Sequence, residues 1–160
     1  MNHLAHMHHH HAAMQPTSLD RLALSATLHC LTGCGIGEVL GLVIGTALGL
    51  GNAPTIALAV VLAFFFGYLL TMLPLLRSGL PMRQALLTAF AADTASITIM
   101  ELVDNAIMLL IPGAMDAALT DALFWGALAV ALIVAGIAAY PVNRWLLARG
   151  RGHALIHTHH

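Results

Sequence analysis

Lysine is absent from the 160 residues, so every one of the six basic side chains is an arginine. That absence removes a Walker A phosphate site, a pyridoxal Schiff base and a retinal Schiff base at once. Any transport by this chain must then run on a gradient or on a partner. Charge of either sign is scarce: Asp, Glu, Lys and Arg make up 8% of the chain, where a soluble domain carries about 25%. A soluble single domain is excluded. The formal charge of −1 leaves no basic surplus for counterion release on nucleic acid. No nucleic-acid partner is expected.

Hydrophobic residues fill the space that charge leaves, at 59% of the chain and a mean hydropathy of +0.87. A hydrocarbon core of about 30 Å needs about 20 helical residues, and stretches of that length occur near Leu22 to Leu50, Thr55 to Leu76, Gln84 to Ile111 and Leu119 to Tyr140. Helix-stopping residues separate them: Gly51, Asn52 and Pro54; Ser78, Gly79 and Pro81; Pro112 and Gly113. The expected fold is all-α, an integral membrane four-helix bundle over residues 22–140, flanked by tails at 1–21 and 141–160. Short connections make neighbouring helices antiparallel. The first span is too long for a signal-peptide core and lacks a basic flank, so it is expected to be retained.

Arginine fixes the expected orientation, because positive residues near span ends stay in the cytoplasm. Four crossings put Arg21, Arg77, Arg83, Arg144, Arg149 and Arg151 on one side, and Asp116 and Asp121 on the other. Both termini are thus expected in the cytoplasm of a bacterial inner membrane. Trp125 near one boundary, with Tyr140 and Trp145 near the other, fits an aromatic belt.

The second and fourth spans carry almost no charge and read as lipid-facing scaffold. The first and third hold His29, Cys30, Cys34, Glu38, Asp93, Glu101, Asp104 and Asn105. Charges at that depth cost several kcal/mol unless paired, hydrated or protonated, so function is expected there. On the first helix, Cys30, Cys34 and Glu38 recur every fourth residue and form one stripe. Beside it Gly33, Gly37, Gly41, Gly45 and Gly49 form a small-residue ridge that admits another backbone. Plain packing explains that ridge, either onto the third helix or between two copies as a homodimer. Free cysteine likewise packs as a small hydrophobe. One imidazole and two thiols within about one and a half turns also make a soft-ligand set for Cu(I), Zn(II) or a thiophilic ion such as Hg(II). The spacing does not suit c-type haem, which takes Cys-x-x-Cys-His.

On the third helix, Asp93, Ser96, Met100, Glu101, Asp104, Asn105 and Met108 share one half of the wheel at about 100° per residue. A rise of about 1.5 Å per residue puts Glu38 and Glu101 near the midplane and Cys30 level with Asp93. The path expected from these depths runs from Asp116 and Asp121 outside, to Asp104 with Asn105, to Glu38 with Glu101 and Met100, and then to Asp93 with Cys34, Cys30 and His29. A hydrogen-bond network of protonated carboxyls would also hold such a bundle together. With no intramembrane arginine to neutralise them, Glu38, Asp93, Glu101 and Asp104, beside Asn105, point instead to charge compensation or proton coupling for a cation.

Ten of the eleven histidines lie in the tails: His3, His6, His8, His9, His10 and His11 at one end, His153, His157, His159 and His160 at the other. Such tracts bind divalent d-block ions with little selectivity, and the interleaved methionines lean toward copper. The irregular pattern, echoed at both termini, is unlike an affinity tag.

At His29-Cys-Leu-Thr-Gly-Cys34-Gly-Ile-Gly-Glu38, and again at Ser96-Ile-Thr-Ile-Met-Glu101-Leu-Val-Asp104-Asn105 closing on Pro112-Gly-Ala-Met115, the chain resembles a family of small four-span bacterial membrane proteins catalogued as a domain of unknown function. The resemblance covers roughly Leu22 to Tyr140 and implies an inner-membrane protein without an assigned activity. A cysteine pair in a first membrane helix is also similar to the small mercuric-ion transporters, whose thiols are adjacent where three residues intervene here.

Three functions are set against one another. The first is transport or binding of a transition-metal cation, copper favoured, with His29, Cys30, Cys34, Glu38, Met100, Glu101 and Asp104 as ligands. The second is a membrane metal chaperone or assembly factor, which would not depend on Asp104. The third is a structural bundle indifferent to loss of its tails and thiols. No nucleophile with a base and an orienting group can be assembled, so an enzyme is not expected.

Overall fold

The computed structural model describes residues 16–149, which form four helices: α1 (Pro16–Ala47), α2 (Asn52–Arg77), α3 (Met82–Leu110) and α4 (Ala122–Ala148). All four are long and apolar enough to cross a membrane. The histidine-bearing tails lie outside the described residues.

Two of the helix ends use the same device. Gly49 and Gly79 adopt φ of 64° and 89°, a left-handed conformation that costs little only without a Cβ. Leu50 N–H then reaches Gly45 O at 2.9 Å, and Leu80 N–H reaches Leu75 O at 3.2 Å. Carbonyls that the helix leaves unpaired are satisfied in this way. The first helix therefore stops at Ala47, short of the expected Leu50, and Gly49 lies outside the ridge with no atom within 4 Å of a Cβ built on it. At α4, the Asp121 carboxylate accepts from Leu123 N–H at 2.9 Å, so the helix begins three residues later than Leu119. It also passes Pro141 and runs to Ala148 rather than ending at Tyr140. Burial of Asn143, Leu146 and Leu147 accounts for the extra turns.

Opposite pairings fix the topology. A Cβ on Gly33, Gly37, Gly41 or Gly45 would meet Gly67, Ala63, Ala59 or Thr55 in turn, so α1 and α2 run antiparallel and in close contact. The buried α2 residues Thr55, Ala59, Ala63, Gly67, Thr71 and Leu75 repeat every fourth residue, and the first four of them lie over the α1 glycines. The ridge is occupied by α2 of the same chain. The third helix, the other intramolecular candidate, does not pack there.

Helices α1 and α4 are also antiparallel. Asn143 Nδ2 donates to Thr27 Oγ1 at 2.9 Å, and Arg144 Nε donates to Asp20 Oδ1 at 2.6 Å. Around the bundle the order is α1, α2, α3, α4, with α1 and α3 meeting across the middle while α2 and α4 barely touch. All arginines among the described residues, Arg21, Arg77, Arg83, Arg144 and Arg149, sit at the end that carries the first and last residues of the bundle. Asp116 and Asp121 sit at the other.

Candidate intramembrane polar site

Being diagonal partners, α1 and α3 run in the same direction, so their polar stripes align level by level. Cys30, Cys34 and Glu38 on α1 are 2%, 1% and 2% exposed. Asp93, Ser96, Met100, Glu101, Asp104, Asn105 and Met108 line the buried side of α3. The third helix thus buries the half of its wheel that the sequence marks as polar.

Three levels result. At the level nearest the arginine-bearing end, Cys30 Sγ donates to Asp93 Oδ1 at 3.7 Å, and Thr71 and His29 are further polar side chains facing Asp93. His29 itself is half-buried. One turn further along, the Cys34 thiol faces Glu101, and Met100 belongs to the same buried cluster as both cysteines. Above that, Glu38 lies beside Asp104 and Glu101. Cys34 thus joins Glu101 rather than Asp93, and Asp104 joins Glu38 rather than forming an outer layer with Asn105. The register between the two parallel helices differs by about one turn from that obtained by counting from the span ends.

Few of these groups find a partner. Asn105 Nδ2 donates to Glu101 O at 2.9 Å within α3. Glu38 Oε2, Asp93 Oδ2, Glu101 Oε2 and both oxygens of Asp104 have none, nor have Ser96 Oγ, Asn105 Oδ1 and His29 Nε2. An ionised carboxylate left this way in an apolar interior costs several kcal/mol after relaxation. Among the described residues, no arginine reaches the levels of Glu38, Glu101 and Asp104. Chemically the arrangement attracts protons or mobile cations.

Convergent metal ligation is another matter. Among the described residues, no group of three or more His, Cys, Asp or Glu side chains could hold a metal ion. His29, Cys30 and Cys34 therefore do not form the three-ligand station expected of them. Each thiol instead faces one carboxylate on α3. The tail histidines, His3, His6, His8, His9, His10, His11, His153, His157, His159 and His160, lie outside the described residues.

Sequence reasoning overlooked contributions from α2 and α4. Thr71 reaches the Asp93 level, and Asn143 ties α4 to Thr27, whose hydroxyl in turn donates to Ala23 O at 2.8 Å. Periodicity was the available signal: the small residues of α2 recur every fourth position, and Asn143 follows Ala135 and Ala139 at the same spacing.

The family described as a domain of unknown function (DUF4396) matches residues 21–152. The chain belongs to that family. No curated protein and no solved structure matches the chain significantly, so the likeness to mercuric-ion transporters finds no support.

Proposed function

We propose that this family member is a multi-pass inner-membrane protein that binds and moves a cation along the facing sides of α1 and α3, and that the cargo is a transition-metal ion, copper first. One observation carries the reading: carboxylate oxygens of Glu38, Asp93, Glu101 and Asp104 are buried without a partner. Something mobile must balance them. Asp93, Glu101, Glu38 and Asp104, with Asn105 as a neutral neighbour, compensate the charge of the cargo or exchange protons for it. Cys30 and Cys34 add a soft donor at two successive levels. Thiol and carboxylate pairs stacked a turn apart give an ion several weak stations, which suits passage better than storage. The histidine tails concentrate ions at the entrance. Clustering of arginine at one end of the bundle supports termini in the cytoplasm.

The test is uptake by vesicles containing the full chain, with Cu(I) or Zn(II) outside and the trapped ion measured by elemental mass spectrometry. Uptake above protein-free vesicles is expected, falling about tenfold in Asp104→Asn, which keeps the shape and removes the charge.

The missing three-ligand group favours a second reading, in which protonated carboxyls form a structural network. Absent uptake of both ions, combined with a lower melting temperature for Glu38→Gln, would establish it instead.

A further inference from the structure

The polar stripes of α1 and α3 change character at the same level. Four residues after Glu38 the α1 stripe continues as Leu42, and four residues after Asp104 the α3 stripe continues as Met108. Four residues are about 6 Å of helix rise, and Glu38 lies beside Asp104, so Leu42 and Met108 meet one turn beyond the last carboxylates. They are 4% and 1% exposed. Phe124 and Leu128 of α4 belong to the same buried cluster.

The connection between α3 and α4 completes that cluster from the Asp116 end. Ala114 is fully buried in it, and Trp125 Nε1 donates to Leu119 O at 2.8 Å, tying the far part of the connection to α4. Asp116 and Asp121 stay exposed outside. The arginine-bearing end is built differently. There the buried faces of the same two helices run out through Thr27 and Ala23 on α1 and through Ala89 and Ala85 on α3, all small, with the Thr27–Asn143 hydrogen bond beside them. One end of the seam is thus lined by short and partly polar side chains, the other by large apolar ones. An apolar constriction stops ions because it sheds its water and offers nothing in place of a hydration shell.

We propose that Leu42, Met108 and Phe124 form an apolar gate, backed by the α3–α4 connection, which closes the α1–α3 path toward the Asp116 end and leaves the carboxylates open to approach from the arginine-bearing end. The gate rests on the reading of that seam as a cation path, whatever the cargo.

The test uses the full chain in lipid vesicles with a trapped pH-sensitive dye and an imposed pH step, since a wetted path conducts protons. Wild-type vesicles should equilibrate no faster than protein-free ones, and Leu42→Ser or Met108→Ser about tenfold faster. Ala114→Ser adds one hydroxyl to the plug with little change in volume, and should raise the rate in the same direction even where the larger changes impair folding. Leu75→Ser is the control for lost packing: Leu75 is 2% exposed at the arginine-bearing end, so its loss should leave the vesicles tight. An equal leak in Leu75→Ser, a leak in the wild type, or tight vesicles for all three plug variants would overturn the gate. Cu(I) and Zn(II) uptake by the wild type separates the two readings. Uptake with tight plug variants leaves the cation path standing without this gate, whereas leaking plug variants without any uptake keep the gate and overturn the metal cargo.

Discussion

Helix α1 presents two opposite kinds of surface. Toward α2 it offers Gly33, Gly37, Gly41 and Gly45, and the backbones approach until a single Cβ would overlap Ala63 or Ala59. Toward α3 it offers Cys30, Cys34 and Glu38, and at this seam Glu38 Oε2, Glu101 Oε2 and both Asp104 oxygens have no hydrogen-bond partner. The dry contact gains dispersion over a long ridge and loses almost no side-chain entropy, since glycine and alanine have none to lose. The wet-looking contact gains little and pays desolvation. Holding the bundle together is therefore the task of the α1–α2 seam, which leaves the α1–α3 seam free to be shaped by its chemistry.

Breaking the dry seam should produce the largest effect. Gly37→Leu drives a branched side chain into the Ala63 backbone and is expected to cost more than about 3 kcal/mol, read as loss of a monodisperse peak and a collapsed melting temperature. Gly126→Ala is the matched control, since a Cβ there meets nothing within 4 Å. It should leave stability unchanged or raise it by up to about 1 kcal/mol.

Between the extremes lies the Thr27–Asn143 bridge. Asn143→Leu should cost about 0.6 kcal/mol and at most about 1.7 kcal/mol, as for polar side-chain bonds between apolar helices, in a chemical unfolding titration. An unchanged midpoint would show that the bridge adds nothing to α1–α4 packing.

The polar seam should respond with the opposite sign. Glu38→Gln removes a buried charge site and is expected to keep or raise the melting temperature while lowering cation uptake. A clear drop in stability would mean that the carboxylates hold the bundle together and the comparison fails. Smallest of all is Asp20→Asn at the exposed Arg144 pair, where both side chains are about half in solvent. Its shift should be lost in the scatter of repeated melts, as for most surface ion pairs.

Much of this was legible in the residues themselves. Four apolar runs and their Gly/Pro breaks gave the helices, and the 100° wheel separated the buried half of α3 from the half carrying Phe90, Leu102 and Leu109, all of which are exposed. The recurrence of Cys30, Cys34 and Glu38 predicted a common inward stripe. Pairing was harder. A glycine ridge announces that something approaches closely without saying what, and the answer was the equally periodic Thr55-Ala59-Ala63-Gly67 stripe of a helix that looked like bland scaffold. Levels were harder still, because depth counted from a span end carries an error of about a turn, enough to move Cys34 from Asp93 to Glu101. Ligand convergence was beyond reach: shared helix face and shared depth do not bring donor atoms to one point.

The diagonal placement of α1 and α3 also imposes an order on biosynthesis. Cys30 and Asp93 are separated by 63 residues, which at roughly 5–20 residues per second is about 3–13 s of synthesis. Helix α2 can dock on the glycines almost at once, whereas Cys30, Cys34 and Glu38 wait that long for Asp93, Glu101 and Asp104. The close-packed glycine seam is therefore expected to form first and to hold α1 in place before α3 closes the polar side.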